Sequence, residues 1–187
     1  MNPHVSKNRS LPRAAVAGLV ALIVAGAAGA QCAPGQTNLD VPASTPGSDF
    51  EPGADGTLLH RRTGLVWQRC ALGQTWNGAG CDGTPDALGW EVALQAAVAH
   101  TQQGRSDWRL PNRNELASLI ENRCATPALN ISIFPDAPAQ ESWTSSPAVG
   151  AAGQAWAVDF ATGAVSASPL NQPNAVRLVR GGEAIVD

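Results

Sequence analysis

The chain has 187 residues and a formal net charge of −3 at pH 7, from 12 Lys and Arg against 15 Asp and Glu. This mildly acidic balance, without basic clusters, argues against a nucleic-acid partner and against docking on anionic membranes. The length fits one domain with a substantial core, and six Trp in the absence of Tyr predict that indole rings fill much of that core.

The first 30 residues follow the pattern of a secretory signal peptide. Basic side chains precede an apolar run at residues 14–28, and Ala28-Gly29-Ala30 supplies small residues for cleavage. The run is too short for the roughly 30 Å core of a bilayer, so no integral membrane span is predicted. Cys32 does not fit the lipid-modified cysteine of a lipoprotein, because Gln31 stands where a small residue is expected. We predict an exported protein that begins at Gln31 and resides in the periplasm, on the cell surface or outside the cell.

All four cysteines lie after the predicted cleavage site: Cys32, Cys70, Cys81 and Cys124. An even number of cysteines in an exported chain indicates two disulfides, for which three pairings are possible. Cys70 and Cys81 enclose only ten residues, including the turn-rich W-N-G-A-G, so we predict that they pair locally. Cys32 then pairs with Cys124. A metal site is the alternative, but no C-x-x-C motif or clustered histidine accompanies these cysteines.

The region before the domain is predicted to be irregular. Residues 31–56 carry many Pro, Gly, Ser and Thr with little periodicity, which indicates an extended lead-in. The folded domain is predicted at residues 57–182, followed by a tail at 183–187. It opens with a β-hairpin whose strands are 57–60 and 65–69, because apolar runs there flank a short polar turn.

A first helix is predicted from Trp90 to about Gln102. Four apolar residues share one face of this helix at helical spacing: Trp90, Leu94, Ala97 and Val98. Gly104 follows at the place where a glycine commonly ends a helix. We therefore expect that face to point into the core.

The stretch S-D-W-R-L-P-N-R-N-E-L, residues 106–116, predicts a short strand followed at once by a second helix. Its W-R-L part alternates apolar and charged residues, and Pro111 ends the strand because proline cannot donate to a sheet. Asn112 is a favoured N-cap, and Glu115 can complete a capping box with it. The helix is predicted to run to about Asn122, with Arg109 and Arg113 holding nearby carbonyls or carboxylates.

The rest of the domain is predicted to be β-strand. The candidate strands are residues 141–145, 155–160, 164–168 and 175–180. The sequence D-F-A-T-G connects the second and third of these strands as a hairpin with glycine at its end. Two helices enclosed by strands, with a C-terminal antiparallel meander, indicate an α+β domain.

Five motifs occur in order along this domain. They are T-G-L-V-W-Q-R-C, S-D-W-R-L-P-N-R-N-E-L-A-S-L-I, E-S-W-T-S-S-P, A-W-A-V-D-F-A-T-G and V-R-L-V-R. Together they resemble the DUF1566 family, also described as the C-terminal domain of the Legionella collagen-like adhesin. The resemblance implies an exported C-type-lectin-like domain, distantly akin to the formylglycine-generating-enzyme fold and without agreed catalytic residues. The adhesin is associated with sulfated polysaccharides, whereas this chain lacks the collagen-like repeats.

Few residues could carry catalysis. Beyond residue 30 the histidines are His60 and His100, and no G-x-S-x-G motif is present. Oxidase chemistry of the formylglycine type would need a reactive cysteine pair late in the domain, and no cysteine follows Cys124. A non-enzymatic protein is therefore predicted, with an unrecognised hydrolase as the weaker alternative.

Two pairs of carboxylates have the chemistry for glycoside hydrolysis. The pairs are Asp136 with Glu141 and Asp107 with Glu115. A loop position between prolines accounts for Asp136, and the predicted helix cap accounts for Glu115. We interpret both pairs as structural.

The sequence Asn171-Gln172-Pro173-Asn174 is similar to the element that sugar-binding C-type lectins use to coordinate calcium. Calcium takes six to eight oxygen ligands, several of them from carboxylates. No acidic residue lies between Phe160 and Arg180, and the partner Trp-Asn-Asp element is missing. We therefore predict a turn between two strands and no metal or other cofactor.

Binding through surface loops is the remaining hypothesis. The loops predicted at 146–153 and 169–174 are small and polar, and loops on a rigid scaffold commonly carry recognition. The candidate ligand-binding residues are Asn171, Gln172, Asn174 and Trp76. We predict a binding or adhesion domain whose partner is a glycan or a cell-surface or envelope protein. The competing hypothesis is a structural or accessory subunit of an envelope assembly, bound through the lead-in.

Overall fold

A computed structural model of the chain describes Met1 and residues 31–181. The predicted signal peptide beyond Met1 and the predicted tail lie outside the described residues. The regular elements of the described part are mostly β-strands, with two short helices, as in an α+β domain. The helices are α1 (Trp90–Ala99) and α2 (Arg113–Ala117), and a 3₁₀ turn occupies Gly47–Asp49.

The described residues form eleven strands in three sheets. The strands are β1 (Phe50–Pro52), β2 (Thr57–His60), β3 (Leu65–Gln68), β4 (Thr75–Trp76), β5 (Cys81–Asp82), β6 (Ala87–Leu88), β7 (Glu141–Pro147), β8 (Gln154–Asp159), β9 (Ala164–Pro169), β10 (Asn174–Ala175) and β11 (Val179–Gly181). A four-stranded antiparallel sheet has the order β1-β2-β3-β11, and a five-stranded sheet has the order β6-β10-β7-β8-β9. Strands β4 and β5 form a two-stranded ribbon. The predicted hairpin and three of the four predicted later strands are thereby confirmed within one or two residues at each end.

The predicted strand at 175–180 is wrong as a single strand, because it divides between two sheets. Ala175 lies opposite Ser142 in the five-stranded sheet. Val179 lies opposite Trp67 in the four-stranded sheet. The residues between them are buried as well, so this segment joins the two sheets through the interior.

Helix α1 ends earlier than predicted, and three of its four predicted inward residues, Trp90, Leu94 and Ala97, pack in the core. It stops at Ala99, because His100 adopts an extended backbone with φ −72° and ψ 135°. Ala93 and Ala97 are fully buried, whereas Val98 is 74% exposed. The prediction that Val98 faces the core is therefore wrong.

The capping box at the start of α2 forms as predicted. The strand predicted just before it is wrong, because only Arg109 pairs there, as a single bridge to Val179, and the helix is shorter than predicted. Asn112 accepts a hydrogen bond from the Glu115 backbone, and the Glu115 carboxylate accepts one from the Asn112 backbone, which completes the capping box. Arg109 binds the same carboxylate through two N–H groups at 2.8 Å each. The helix ends at Ala117 rather than near Asn122, because tighter turns follow it.

The lead-in is part of the fold rather than a loose extension. Strand β1 pairs with β2, which the sequence analysis missed. The buried carboxylate of Glu121 accepts hydrogen bonds from the backbone N–H and hydroxyl groups of both Ser44 and Thr45. Gln31 donates to the same carboxylate. Residues 31–56 are therefore bound to the domain at several points.

Two disulfides brace the described chain, and they are the predicted pairs. Cys70 and Cys81 bridge with Cα atoms 5.5 Å apart. Cys32 and Cys124 bridge with Cα atoms 5.2 Å apart and so tie the start of the lead-in to the segment after α2. The core itself buries three of the six tryptophans, Trp67, Trp108 and Trp143. The other three are half-buried at the surface.

Candidate functional site: the Trp76 cleft

A concave cleft of about 260 Å³ opens beside the disulfide-closed loop between Cys70 and Cys81. We call it the Trp76 cleft. Its lining residues are Asp55, Gly56, Gln68, Cys70, Gln74, Thr75, Trp76, His100, Thr101, Gln102 and Gln103. They come from the loop before β2, the end of β3, the disulfide loop and the segment after α1. The lining is largely polar, with one carboxylate, Asp55, and one indole.

The wall that carries Trp76 is held from several sides. Trp76 pairs with Cys81 across the β4–β5 ribbon, so the indole is next to the disulfide. The guanidinium of Arg69 lies 4.2 Å from the centre of the indole, and its Nε donates to the Ile133 carbonyl at 3.0 Å. Gly56 lies directly against the indole, since a Cβ at that position would fall 2.6 Å from Trp76. These contacts place the ring in one position before any ligand arrives.

Another part of the cleft lining is a hydrogen-bonded group of amides and one imidazole. Gln102 Nε2 donates to the backbone carbonyl of Asp55 at 2.8 Å. Gln68 Nε2 donates to Gln102 Oε1 at 2.7 Å and lies 2.6 Å from His100 Nε2. Burial lowers the pKa of His100 below its ordinary value of 6.5. The extended backbone after α1 brings His100 and Gln102 onto β3.

The structure does not bring the four predicted ligand-binding residues together. Trp76 lines the cleft described above, whereas Gln172 and Asn174 line a separate depression of about 490 Å³. Asn174 is buried, and its amide donates to Glu141 at 3.1 Å and to Ser168 at 3.4 Å. Asn171 is exposed in the neighbouring loop. Of the sequence candidates, only Trp76 lies in the Trp76 cleft.

Sequence analysis did not assign a binding role to Gln68, Gln102 or His100. Their signal is weak, because glutamines are common surface residues and His100 follows a helix. The one sequence feature that could have drawn notice is Gln68, a polar residue at the end of the apolar run L-V-W. Only 6% of its surface is exposed, and a polar side chain this buried is expected to be held by hydrogen bonds.

Apart from His100, which lines the Trp76 cleft, the residues considered for catalysis are engaged elsewhere. His60 stacks on Phe50 with ring centres 4.7 Å apart, and its Nδ1 lies 2.8 Å from the Thr63 hydroxyl. Burial lowers the pKa of His60, and Asp49 partly opposes that effect. His60 is therefore packed in the core.

The four candidate carboxylates also have partners in the fold. Asp136 accepts a hydrogen bond from the Cys81 backbone at 2.9 Å. Glu141 binds Asn174, and Glu115 binds Arg109. Asp107 lies 3.7 Å from Arg180, in a groove of about 670 Å³. We call this the arginine groove; it is lined by Gly64, Val66, Arg105, Asp107, Arg109, Arg180 and Gly181.

Within the described residues, no group of three or more His, Cys, Asp or Glu side chains could hold a metal ion. Across the same part of the chain, no helix has the length and hydropathy needed to cross a bilayer. The five motifs noted above all lie on the elements that build the two sheets, α2 and one side of the cleft. The family model named Lcl C-terminal domain matches residues 56–180. The chain belongs to this family.

Lcl is the Legionella collagen-like protein, so the resemblance predicted from the motifs is confirmed at the level of this domain. Membership in the Lcl C-terminal domain family associates the chain with bacterial surface proteins, and the two disulfides are consistent with export. The matched range contains every lining residue of the Trp76 cleft except Asp55. No curated protein matches the chain.

Proposed function

We propose that this Lcl-type domain is an exported bacterial binding domain on a C-type-lectin-like scaffold and that it holds its ligand in the Trp76 cleft without chemical conversion. The observation that carries the proposal is the construction of the cleft. A disulfide-closed loop presents an indole in the same cleft as a set of hydrogen-bonding amides. A few placed polar groups beside an aromatic face are typical of ligand pockets.

The composition of the cleft supports binding rather than catalysis. His100 is directed at Gln68, and the Asp55 carboxylate binds the backbone and hydroxyl of Thr57. Cys70, the only sulfur-bearing residue among the described lining residues, is in a disulfide. A hydrolase would need a nucleophile or general base within hydrogen-bond reach of a substrate. None of these groups is arranged in that way.

The competing proposal is an accessory subunit of an envelope assembly. Attachment of such a subunit through the lead-in has less support, because Glu121 and Cys124 hold that segment against the domain. A partner would need to contact another surface.

A glycan array, read with and without calcium, tests the proposed function. We expect the purified chain to retain glycans in both conditions, because the cleft has no cluster of carboxylates for calcium. Trp76→Ala should lower the affinity for a retained glycan at least about tenfold, because an aromatic contact residue commonly supplies a large part of the binding energy. Measured binding constants for the two proteins check this.

Trp156→Ala is the matched control. Trp156 is also a half-buried indole with an arginine against it, Arg113 at 4.1 Å, but it lies outside the cleft. This variant should bind as the wild type does. A chain that retains no glycan would favour the accessory-subunit proposal, and equal losses in the two variants would remove the cleft from the proposed function.

A further inference from the structure

The hydrogen bonds in the Trp76 cleft run in one fixed direction. The Asp55 carbonyl can only accept a hydrogen bond, so the Gln102 atom at 2.8 Å from it must be the amide nitrogen. Gln102 therefore turns its oxygen toward Gln68. That oxygen accepts from Gln68 Nε2 at 2.7 Å, which orients the Gln68 amide as well. One backbone carbonyl thus sets the orientation of two side chains.

The same direction sets the protonation of His100. Gln68 Nε2 lies 2.6 Å from His100 Nε2 and has only N–H groups to offer. His100 Nε2 must therefore accept, which makes the imidazole neutral and places its proton on Nδ1. After these bonds, Gln68 still has a carbonyl oxygen that can accept, and His100 has an Nδ1–H group that can donate. Both residues line the cleft.

A hydroxyl group is the ligand group that such a pair fits, because it donates and accepts at once. Trp76 lines the same cleft. The part of its indole that Arg69 and Gly56 leave uncovered supplies apolar surface, which suits the C–H face of a sugar ring. The volume of about 260 Å³ is below the 300–1,000 Å³ typical of sites for drug-sized ligands, so the cleft has room for about one ring.

The charge of the cleft restricts the chemical class of its ligand further. No lysine or arginine is among its described lining residues, whereas three arginines line the arginine groove. A sulfate or carboxylate on a ligand needs a charge-assisted partner when it leaves water. The cleft lining offers no such partner to an acidic group and includes the Asp55 carboxylate. The nearby Arg69 stacks on the Trp76 ring and donates to the Ile133 carbonyl.

Building on the proposed function, we propose that the Trp76 cleft binds a neutral sugar ring through its hydroxyl groups, with Gln68 and His100 as the hydrogen-bonding pair and Trp76 as the apolar face. In this arrangement Gln102 is a positioning residue, because it acts by orienting Gln68. Acidic sugars are not ligands of this cleft.

The arrangement also predicts that acid weakens binding. A proton added to His100 Nε2 would face the Gln68 N–H group and break the chain of hydrogen bonds. The charged groups nearby do not compensate: Asp55 is bound by Thr57, and Arg180 lies 5.4 Å over the Trp108 ring against which His100 packs. Since burial lowers the pKa of His100 below 6.5, affinity should be full above that value and fall only as the pH drops through the lowered pKa.

The test titrates the neutral oligosaccharide that the array retains most strongly into the full chain, by calorimetry, from about pH 8 to about pH 5. We expect affinity to fall at the acid end. Gln102→Leu should lower affinity about tenfold at pH 8, because it frees the Gln68 amide to rotate. Gln95→Leu, the same change on the exposed surface of α1, should leave affinity unchanged.

His100→Gln distinguishes positioning from mere structural support. A glutamine offers both an acceptor and a donor but does not titrate, so this variant should bind with a pH profile that is flat over the same range. A profile that still falls would overturn the role of His100, even if Gln102→Leu were unfolded. Retention of only sulfated or carboxylated glycans, or of peptides, would overturn the neutral-sugar class and leave the proposed binding function standing. If the chain retained no glycan, both proposals would be refuted.

Discussion

Glu121 is the single residue that most firmly joins the N-terminal segment to the domain. It is fully buried, and its carboxylate accepts hydrogen bonds from Gln31, Ser44, Thr45 and the Arg123 backbone. Burial alone would raise the pKa of Glu121, but the donated hydrogen bonds outweigh that effect and hold the pKa below its ordinary value of 4.5. A carboxylate this well satisfied stabilises the fold only in its charged form.

Glu121→Gln should lower the free energy of unfolding by about 1–3 kcal/mol near neutral pH, because an amide can accept from fewer of these donors. Because the folded pKa of Glu121 is depressed, its contribution is present above the unfolded pKa and is lost as the pH falls through the folded pKa. The wild type should therefore lose more stability in acid than Glu121→Gln does. Urea denaturation at several pH values measures the difference.

Glu91→Gln is the control for this experiment, since Glu91 is exposed in the first turn of α1. It should change stability by no more than about 0.5 kcal/mol. Parallel pH profiles for the wild type and Glu121→Gln would contradict the role assigned to this carboxylate.

At the scale of elements, the start of α2 depends on local chemistry. The capping box between Asn112 and Glu115 satisfies backbone donors that the first turn would otherwise leave without partners. Arg109 binds the Glu115 carboxylate from the preceding segment and so connects that segment to the helix. That carboxylate has a pKa below its ordinary value, chiefly because of Arg109.

Asn112→Ala should lower the free energy of unfolding by about 1 kcal/mol, the usual cost of losing an N-cap. Chemical denaturation measures this effect. Asn114→Ala, two positions further and exposed inside α2, is the control and should be neutral within about 0.5 kcal/mol. An equal loss in both variants would show that the loss does not come from the cap, since alanine is favoured over asparagine inside a helix.

The elements that could be predicted from the sequence are those whose signal is local. The capping box of α2 and the hairpin β2–β3 follow from a few adjacent residues. Strands β4, β5 and β6 are two residues each, too short for any periodicity to appear. The segment around Arg177 is buried throughout and serves two sheets, so its pattern does not alternate and could not indicate the break.

The cleft was harder to predict for the same reason. Gln68 meets His100 and Gln102 across separations of 32 and 34 residues. Only the fold brings these side chains together. Trp76 could be selected because it lies inside a predicted disulfide loop, which is a local feature. The amides at 171–174 attracted attention as polar residues in a turn, but the buried one, Asn174, is occupied with Glu141.

At the scale of the whole molecule, the two disulfides stabilise different parts of the structure. The Cys32–Cys124 bridge spans 92 residues and holds the lead-in, whereas the Cys70–Cys81 bridge spans 11 residues and closes the wall of the Trp76 cleft. In the chain-entropy model, the long bridge stabilises the fold by about 4–5 kcal/mol and the short one by about 3 kcal/mol. Stability and ligand binding should therefore respond differently to their loss.

Replacing Cys32 and Cys124 by Ser should lower the melting temperature more and leave ligand affinity unchanged at a temperature where the chain is folded. Replacing Cys70 and Cys81 by Ser should lower the melting temperature less and reduce affinity at least about tenfold, because Trp76 loses its fixed position. Calorimetric melts and titrations of both variants check the contrast. Loss of affinity in the first variant alone would reverse the assignment.

The sulfur–sulfur bond beside Trp76 has a consequence for when the protein can act. Newly made chains in the reducing cytosol keep their thiols, so the loop that presents the indole is not yet closed there. Oxidation of Cys70 and Cys81 closes it. Under the proposed function, the cleft therefore becomes competent for its ligand only once this bond has formed.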